Sequence, residues 1–188
     1  MTMRVYLAGP DVFLPEPEAR GAALKAICTR HGLDGVFPLD TPDHIPDAWR
    51  ALPLARYIAL CNESHIRACD ALIANLTPFR GPSADVGTVF EIGFMRALGR
   101  PVFGWSNTSA GFLDRTRSAF PASDDGSGAW RDVAGMLLEN FGLTDNLMID
   151  GAILASGGAI FTADPASPWE DLAAFEICVA AVAERLRA

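Results

Sequence analysis

The chain has 188 residues, of which 50% are hydrophobic and 20% are charged, and its formal net charge is −8. This length and composition predict a single globular domain over residues 1–188. The acidic charge argues against a nucleic-acid-binding protein, because affinity for phosphate backbones depends on clustered Lys and Arg. No apolar run approaches the roughly 18 residues of a membrane helix and the N-terminus shows no signal-peptide pattern, so we expect a cytoplasmic protein without a membrane partner.

The cysteines are scattered along the chain, with no Cys-x-x-Cys pair and no His at ligand spacing. We therefore interpret them as reduced thiols, and we expect neither a metal site nor a cofactor. The four cysteines are Cys28, Cys61, Cys69 and Cys178.

In the first part of the chain, short apolar runs alternate with stretches that carry apolar residues at helical spacing. Glycine and proline mark most of the boundaries. In chain order the predicted elements are a strand over 5–8, a helix over 17–31, a strand over 36–39, a loop over 41–50, a helix over 52–69 and a strand over 71–76.

The second part begins with a Pro- and Gly-containing loop and continues into the clearest helix of the chain, which ends at Gly99. The glycine-rich stretch 104–128 is interpreted as a lid or a flexible loop. The further predicted elements are a loop over 77–84, a helix over 85–98, a strand over 101–105, an irregular segment over 106–128, a helix over 130–141, a strand over 159–162 and a helix over 169–186.

This alternation of buried strands and helices predicts an α/β fold, a flavodoxin-like or Rossmann-like doubly wound sheet of about five parallel strands with helices on both faces. In such sheets, ligands bind at the carboxyl ends of the strands. Three segments follow a predicted strand and carry unusual residues: 9–11, 75–85 and the residues after Trp105.

Glu91 is the strongest candidate for a catalytic residue. It stands among Val89, Phe90, Ile92 and Phe94, and no Lys or Arg lies three or four residues away to pair with it. An unpaired carboxylate in an apolar setting is costly and usually has a function. Thr88 lies one turn earlier, within reach of a hydrogen bond to Glu91.

Asp85 has two interpretations that the residues leave open. It lies where a helix begins, so it is either a cap or a functional carboxylate. Two carboxylates at a small-molecule cleft suit glycosidic chemistry, in which one attacks the anomeric carbon and the other handles protons. A separation of six residues is a rotation of about 240° on a helix. As a functional carboxylate, Asp85 would therefore bind or protonate the leaving base without being the close partner of Glu91.

Four segments in order resemble the nucleoside 2-deoxyribosyltransferases, and they lie within residues 4–165. The Asp-x-Gly-x-x-x-Glu-x-Gly pattern beginning at Asp85 is the specific part. The segments are Val-Tyr-Leu-Ala-Gly-Pro-Asp-Val-Phe (5–13), Asp-Ala-Leu-Ile-Ala-Asn-Leu-Thr-Pro-Phe-Arg-Gly (70–81), Asp-Val-Gly-Thr-Val-Phe-Glu-Ile-Gly-Phe-Met-Arg-Ala (85–97) and Asn-Leu-Met (146–148).

The resemblance implies a ping-pong exchange of bases on 2′-deoxynucleosides, with deoxynucleosides and free nucleobases as partners. Glu91 would form a deoxyribosyl ester, Tyr6 would orient it, and Asp85 would contact the nucleoside and help protonate the base. Asn146, with Met148, would complete the site of a neighbouring subunit and bind the sugar 5′-hydroxyl, which implies a homo-oligomer. The substrate-binding set implied in this way is Gly9, Asp11, Phe13, Asn62, Phe79, Arg80, Gly87, Thr88, Asn146 and Met148.

Alternative interpretations stay open. Tyr6 is otherwise an ordinary strand aromatic, Asn146 a helix N-cap, and Phe79-Arg80-Gly81 only a turn. Asn62 stands where several family members have Asp, which puts the proton donor in doubt, and Asn75 also stands where some relatives have Asp. A hydrolase acting on deoxynucleosides or nucleoside 5′-monophosphates, and a non-catalytic binding module, are the competing functions.

Overall fold

The computed structural model describes residues 2–188, which form seven strands, seven α-helices and one 3-10 helix (Pro10–Phe13). The strands are β1 (Arg4–Ala8), β2 (Asp34–Val36), β3 (Ala71–Asn75), β4 (Val102–Ser106), β5 (Ala122–Asp124), β6 (Trp130–Asp132) and β7 (Ile160–Thr162). The helices are α1 (Pro17–Arg30), α2 (Asp47–Arg50), α3 (Leu54–Ala68), α4 (Val86–Ala97), α5 (Phe112–Ala119), α6 (Leu147–Ala155) and α7 (Ala173–Arg187).

The main sheet has five parallel strands in the order β2-β1-β3-β4-β7. This is the flavodoxin-like order, and it confirms the predicted α/β fold. The chain moves from β1 to one side for β2 and to the other side for β3, so the order reverses between β1 and β3. The segments that leave these two strands, starting at Gly9 and Leu76, therefore meet at the carboxyl edge, where such folds bind ligands.

Helices cover both faces of this sheet, because successive strand side chains point to opposite sides. Helices α1 and α7 pack on one face, and α3, α4 and α6 pack on the other. The first face buries Val5, Leu7, Ile73, Phe103 and Trp105 against Leu24, Cys28, Phe175 and Val179. The second face buries Tyr6, Ala8, Leu72, Ala74 and Leu76 against Ile66, Ile92, Met95 and Ile153.

The helix predicted over 130–141 is wrong. Residues 130–132 form β6, which pairs antiparallel with β5 in a separate two-stranded sheet. The Asp132 carboxylate accepts the N–H groups of Ala134 and Met136, both at 2.9 Å, and Gly135 takes a positive φ of 81°. A side chain that bonds local N–H groups in this way offers the backbone an alternative to the helix. The apolar residues that suggested a helix, Met136 and Leu137, are exposed and have no core to cover.

Two segments predicted to lack regular structure contain short helices. Helix α2 lies within 41–50, and α5 together with β5 lies within 106–128. The stretch interpreted as a lid or flexible loop therefore contains an α-helix whose Arg115 is anchored to the Pro82 carbonyl. The second predicted strand lies slightly earlier than expected, at Asp34–Val36. Within residues 2–188, no helix has the length and apolar character that crossing a membrane requires.

Candidate active site

Glu91 and Tyr6 form the centre of the site. Tyr6 projects from β1 toward α4, and its hydroxyl donates a hydrogen bond of 2.7 Å to Glu91 Oε1. Tyr6 is fully buried and Glu91 is 9% exposed. The other carboxylate oxygen, Oε2, accepts no hydrogen bond from residues 2–188. The structure thus joins a carboxylate from a helix to an aromatic hydroxyl from the strand beneath it and leaves one oxygen free.

Burial changes the protonation of Glu91. Desolvation raises its pKa from 4.5 to about 7, since an ionised carboxylate loses its hydration inside the protein. The hydrogen bond from Tyr6 lowers this pKa, and the negative charge of Asp85 raises it. The pKa of Tyr6 rises well above its usual value through burial and through the Glu91 charge. Tyr6 therefore remains a hydrogen-bond donor, and Glu91 is divided between its acid and its anion near neutral pH.

Asn62 lies beside this pair. Its Nδ2 donates to Glu91 Oε1 over 3.5 Å, and its buried Oδ1 has no hydrogen-bond partner among the described residues. A buried acceptor without a partner is costly, and a ligand donor would satisfy it. Asn62 and Glu91 line a cavity of about 250 Å³, together with Gly87 and Phe90.

Asp85 is the N-cap of α4, so its carboxylate has the capping role that was one of its two interpretations. Oδ2 accepts the Thr88 N–H at 3.1 Å and the Thr88 hydroxyl at 3.3 Å. The expected hydrogen bond from Thr88 to Glu91 is not formed, because the cap takes the hydroxyl. Capping does not exclude a second role, because Asp85 is half-buried and its charge acts on Glu91.

Gly9 and Asp11 are held within the protein. Asp11 is 2% exposed and forms an ion pair of 2.7 Å with Arg20, and Asn75 Nδ2 donates to its other oxygen at 2.9 Å. A side chain on Gly9 would lie 2.6 Å from the Asp11 carboxylate and 2.7 Å from the Asn75 Cβ. These two residues shape the turn after β1, and the Asp11 carboxylate is occupied by other side chains.

Phe13, Phe79 and Arg80 belong to an aromatic cavity of about 330 Å³, which Trp169 also lines. The two phenylalanine rings stack at 5.3 Å, and the Trp169 ring meets Phe79 edge-on at 6.2 Å. The Arg80 guanidinium lies 4.6 Å from the Phe79 ring centre. Arg80 also has a φ of 56°, an unfavourable conformation for a residue with a side chain, and such strain is concentrated at functional sites.

Asn146 is the N-cap of α6, which is the alternative role that the sequence left open for it. Its Oδ1 accepts the Met148 N–H at 3.0 Å, and its Nδ2 donates to Glu139 at 2.6 Å. Met148 is 70% exposed. Asn146 forms no hydrogen bond with Glu91 or Tyr6 in its own chain, where Glu139 and the helix occupy its amide.

Four residues that were not predicted from the sequence lie next to segments of the predicted site: Arg115, Glu139, Asp145 and Trp169. Arg115 and Trp169 were assigned to an irregular segment and to a helix, and no spacing links them to Glu91. Asp145 offered a weak signal, because it directly precedes Asn146. In residues 2–188, no group of three or more His, Cys, Asp or Glu side chains is arranged to hold a metal ion.

A buried carboxylate with one free oxygen lies beside a cavity at the carboxyl edge of a flavodoxin-like sheet. These features define the class: an α/β protein with a small-molecule site and a candidate nucleophile. Comparison with known proteins gives the family. The model of the family described as nucleoside 2-deoxyribosyltransferase matches residues 5–148. The chain belongs to the nucleoside 2-deoxyribosyltransferase family, which is a family of enzymes.

Individual relatives agree with this assignment. A 2-deoxyribosyltransferase from Leishmania mexicana is 32% identical, with a TM-score of 0.59 over 78% of this chain and 85% of that one. An uncharacterised protein of Schizosaccharomyces pombe is 31% identical over 83% of this chain and 79% of its own length. A conserved protein from Enterococcus faecalis V583, 22% identical over the whole of both chains with a TM-score of 0.57, shares the fold.

Proposed function

We propose that this protein is a nucleoside 2-deoxyribosyltransferase that exchanges the bases of 2′-deoxynucleosides through a covalent intermediate on Glu91. The observation that supports the proposal most strongly is the geometry of Glu91. One oxygen is held by Tyr6 at 2.7 Å and the other is free beside a cavity. A carboxylate oriented in this way suits nucleophilic attack on an anomeric carbon.

In the first half-reaction, Oε2 of ionised Glu91 attacks C1′ of the deoxynucleoside. The C1′–O bond forms as the C1′–N bond breaks, and the bonding pair leaves with the base. The departing nitrogen takes up a proton, which we propose that Asp85 relays from solvent water. Burial of Glu91 strengthens the nucleophile, because the ionised carboxylate is held without its full hydration shell.

In the second half-reaction, a ring nitrogen of another base attacks C1′ of the glycosyl ester. The new C1′–N bond forms, the ester C–O bond breaks, and Glu91 leaves as a carboxylate with Tyr6 still bonded to Oε1. The incoming base loses its own ring N–H proton by the same route, which balances the proton that the first base took up. The exchange is therefore balanced and needs no cofactor and no net change in protonation.

The remaining residues of the predicted set are assigned to binding. Asn62 offers the unpaired Oδ1 to a donor on the substrate, and Gly87 leaves room at the mouth of the Glu91 cavity. Phe13, Phe79 and Arg80 supply aromatic and cationic faces on which a planar base can stack. A supporting role is assigned to Gly9, Asp11 and Thr88. Gly9 and Asp11 shape the turn after β1, and Thr88 takes part in the N-cap of α4.

The proposal extends to a homo-oligomer in which Asn146 and Met148 complete the site of a neighbouring subunit. The exposure of Met148, Val86 and Phe90 supports this, since large apolar side chains on a surface mark contact sites. A second subunit would cover them and close the cavity beside Glu91.

The deciding experiment is incubation of the protein with deoxyinosine and adenine, followed by chromatography. We expect new deoxyadenosine together with hypoxanthine. Hypoxanthine without deoxyadenosine would identify a hydrolase, and unchanged substrates would leave a binding module. The same assay on inosine and adenine shows whether the enzyme requires a 2′-deoxy sugar.

The matched variant is Glu91→Ala. We expect it to lose exchange by several orders of magnitude, on the order of 10³-fold or more, because no other group replaces the nucleophile. Glu184→Ala on the exposed surface of α7 serves as the control, and its exchange rate should equal that of the wild type. Exchange at the wild-type rate in Glu91→Ala would overturn the proposed mechanism.

A further inference from the structure

A buried ion pair between Arg115 and Asp145 lies next to the segment that leads into α4. Arg115 Nη2 is 3.2 Å from Asp145 Oδ2, and the two side chains are 9% and 0% exposed. Arg115 comes from α5 and Asp145 from the turn before α6. Two elements that are distant in sequence therefore meet at one point beside the start of α4.

Both partners also bind the main chain of residues 82–84. Arg115 Nε donates to the Pro82 carbonyl at 2.7 Å, and Asp145 Oδ2 accepts the Ala84 N–H at 3.0 Å. The Ser83 hydroxyl donates to Asp145 Oδ1. The segment just before Asp85 is thus fixed at three successive residues.

This arrangement is costly for a purely stabilising contact. Burial lowers the pKa of the Arg115 guanidinium, and the nearby carboxylates Asp145 and Asp150 oppose that effect. A buried ion pair seldom stabilises a protein more than apolar side chains of similar volume would. What this pair provides that apolar residues cannot is a fixed backbone position at residues 82–84.

The residues on either side of the fixed segment belong to the candidate site. Asp85 follows it directly and acts electrostatically on Glu91. Phe79 precedes it, and its N–H donates to the Ser83 carbonyl at 3.1 Å, so the Phe79–Arg80 turn is attached to the same segment. The position of residues 82–84 therefore determines the position of Asp85 and of one wall of the aromatic cavity.

We propose that Arg115 and Asp145 are positioning residues, which hold Pro82, Ser83 and Ala84 so that Asp85 and Phe79 keep their places relative to Glu91. The inference rests on the proposed function for its effect on catalysis, and on the geometry alone for its effect on Asp85. It also gives a role to α5, the helix inside the stretch that the sequence left unexplained.

The test is Arg115→Met, followed by a pH titration of the Glu91 carboxyl carbon by ¹³C NMR. The groups that face Glu91 are Tyr6 from β1, Asn62 and Glu63 from α3, and Asp85 from α4. If Asp85 is released, its negative charge moves away and the pKa of Glu91 falls below about 7, by only part of the shift because the desolvation that raises it most remains. A simple loss of the positive charge of Arg115 predicts the opposite direction, a higher pKa.

The second readout is exchange activity. We expect kcat/KM of Arg115→Met to fall about 100-fold, the size of effect that a misplacement of about 1 Å produces. Ser83→Ala removes only the hydrogen bond from the Ser83 hydroxyl to Asp145. It should shift the Glu91 pKa and kcat/KM in the same directions by a smaller amount. Val182→Ala, in α7 on the other face of the sheet, is the control: it should lower Tm and leave the Glu91 pKa at about 7.

An unchanged or raised Glu91 pKa in Arg115→Met would overturn the proposal, and so would an unchanged pKa in Ser83→Ala if Arg115→Met does not fold. The titration needs no enzymatic turnover. Failure of the proposed function, seen as no exchange in the wild type, is therefore distinguishable from failure of this inference.

Discussion

At the scale of single residues, Glu91 is a compromise between stability and reactivity. The protein buries a carboxylate with one hydroxyl donor and no cation, which raises its pKa to about 7. A carboxylate paired with Arg would be more stable and less reactive, because the ion pair would occupy its oxygens. Under the proposed function, the burial that makes the group a suitable nucleophile also makes the folded state less stable above neutral pH.

Because the ionised Glu91 carboxylate is unfavourable inside the protein, we predict that the Glu91→Gln substitution stabilises the protein in alkaline solution. The folded-state pKa of about 7 lies above the ordinary value of 4.5, so the contribution of Glu91 to stability is complete below pH 4.5 and is lost as the pH rises through 7. Gln keeps the acceptor for Tyr6 and carries no charge. We expect a gain of about 3 kcal/mol in the free energy of unfolding near pH 8 and little gain near pH 4.

Urea unfolding at the two pH values measures the effect. Glu184→Gln, an exposed change of the same chemistry, provides the control and should alter stability equally at both. An equal effect of Glu91→Gln at both pH values would show that Glu91 ionises normally in the folded protein.

At the scale of elements, the start of α4 combines two tasks in Asp85. The carboxylate caps the helix through Thr88, and its charge raises the pKa of Glu91, which lies about 1.7 turns further on. Asn is as good an N-cap as Asp, whereas Ala is not. The two tasks can therefore be separated by two substitutions at the same position.

We predict that Asp85→Asn retains stability to within about 0.5 kcal/mol, whereas Asp85→Ala loses about 1 kcal/mol through the missing cap. Both remove the charge, so both should lower the pKa of Glu91 by the same amount. Urea unfolding and ¹³C titration of Glu91 measure the two effects. A Glu91 pKa that changes in Asp85→Ala alone would mean that helix fraying, and not charge, is responsible.

At the scale of the whole molecule, α4 and α6 carry large apolar side chains that are exposed. Val86 is 84% exposed, Phe90 59% and Met148 70%, and Asn146 lies beside Met148. Exposed apolar groups of this size are expected to be covered in the working assembly. Under the proposed function, a second copy covers them and supplies Asn146 to the Glu91 site.

Mixing two inactive variants tests this sharing. If Glu91→Ala and Asn146→Ala subunits exchange within dimers, half of the dimers are mixed and each contains one intact site. Activity should then recover to about a quarter of the wild-type value. The same variants kept separate provide the baseline. No recovery, with subunit exchange confirmed by mass spectrometry, would place Asn146 in the site of its own chain.

The fold could be predicted from the sequence because each main element carries a local signal. The apolar run 71–76 is typical of a strand buried on both faces, and β3 lies there with every residue buried. The helix prediction failed at 130–141, where apolar residues such as Met136 and Leu137 suggested a helix but Asp132 and Gly135 form a turn. A pattern of apolar residues cannot reveal whether a core exists for them to cover.

The sequence by itself determined the sheet, the clearest helix and the isolation of Glu91, because these depend on residues close together in the chain. Only the tertiary structure decided what surrounds Glu91. Tyr6 is 85 positions away and Asn62 is 29, and no local pattern encodes which strand lies beneath a helix. The ion pair of Arg115 with Asp145 was likewise hidden, since the two residues approach each other only when α5 and the turn before α6 fold against the start of α4.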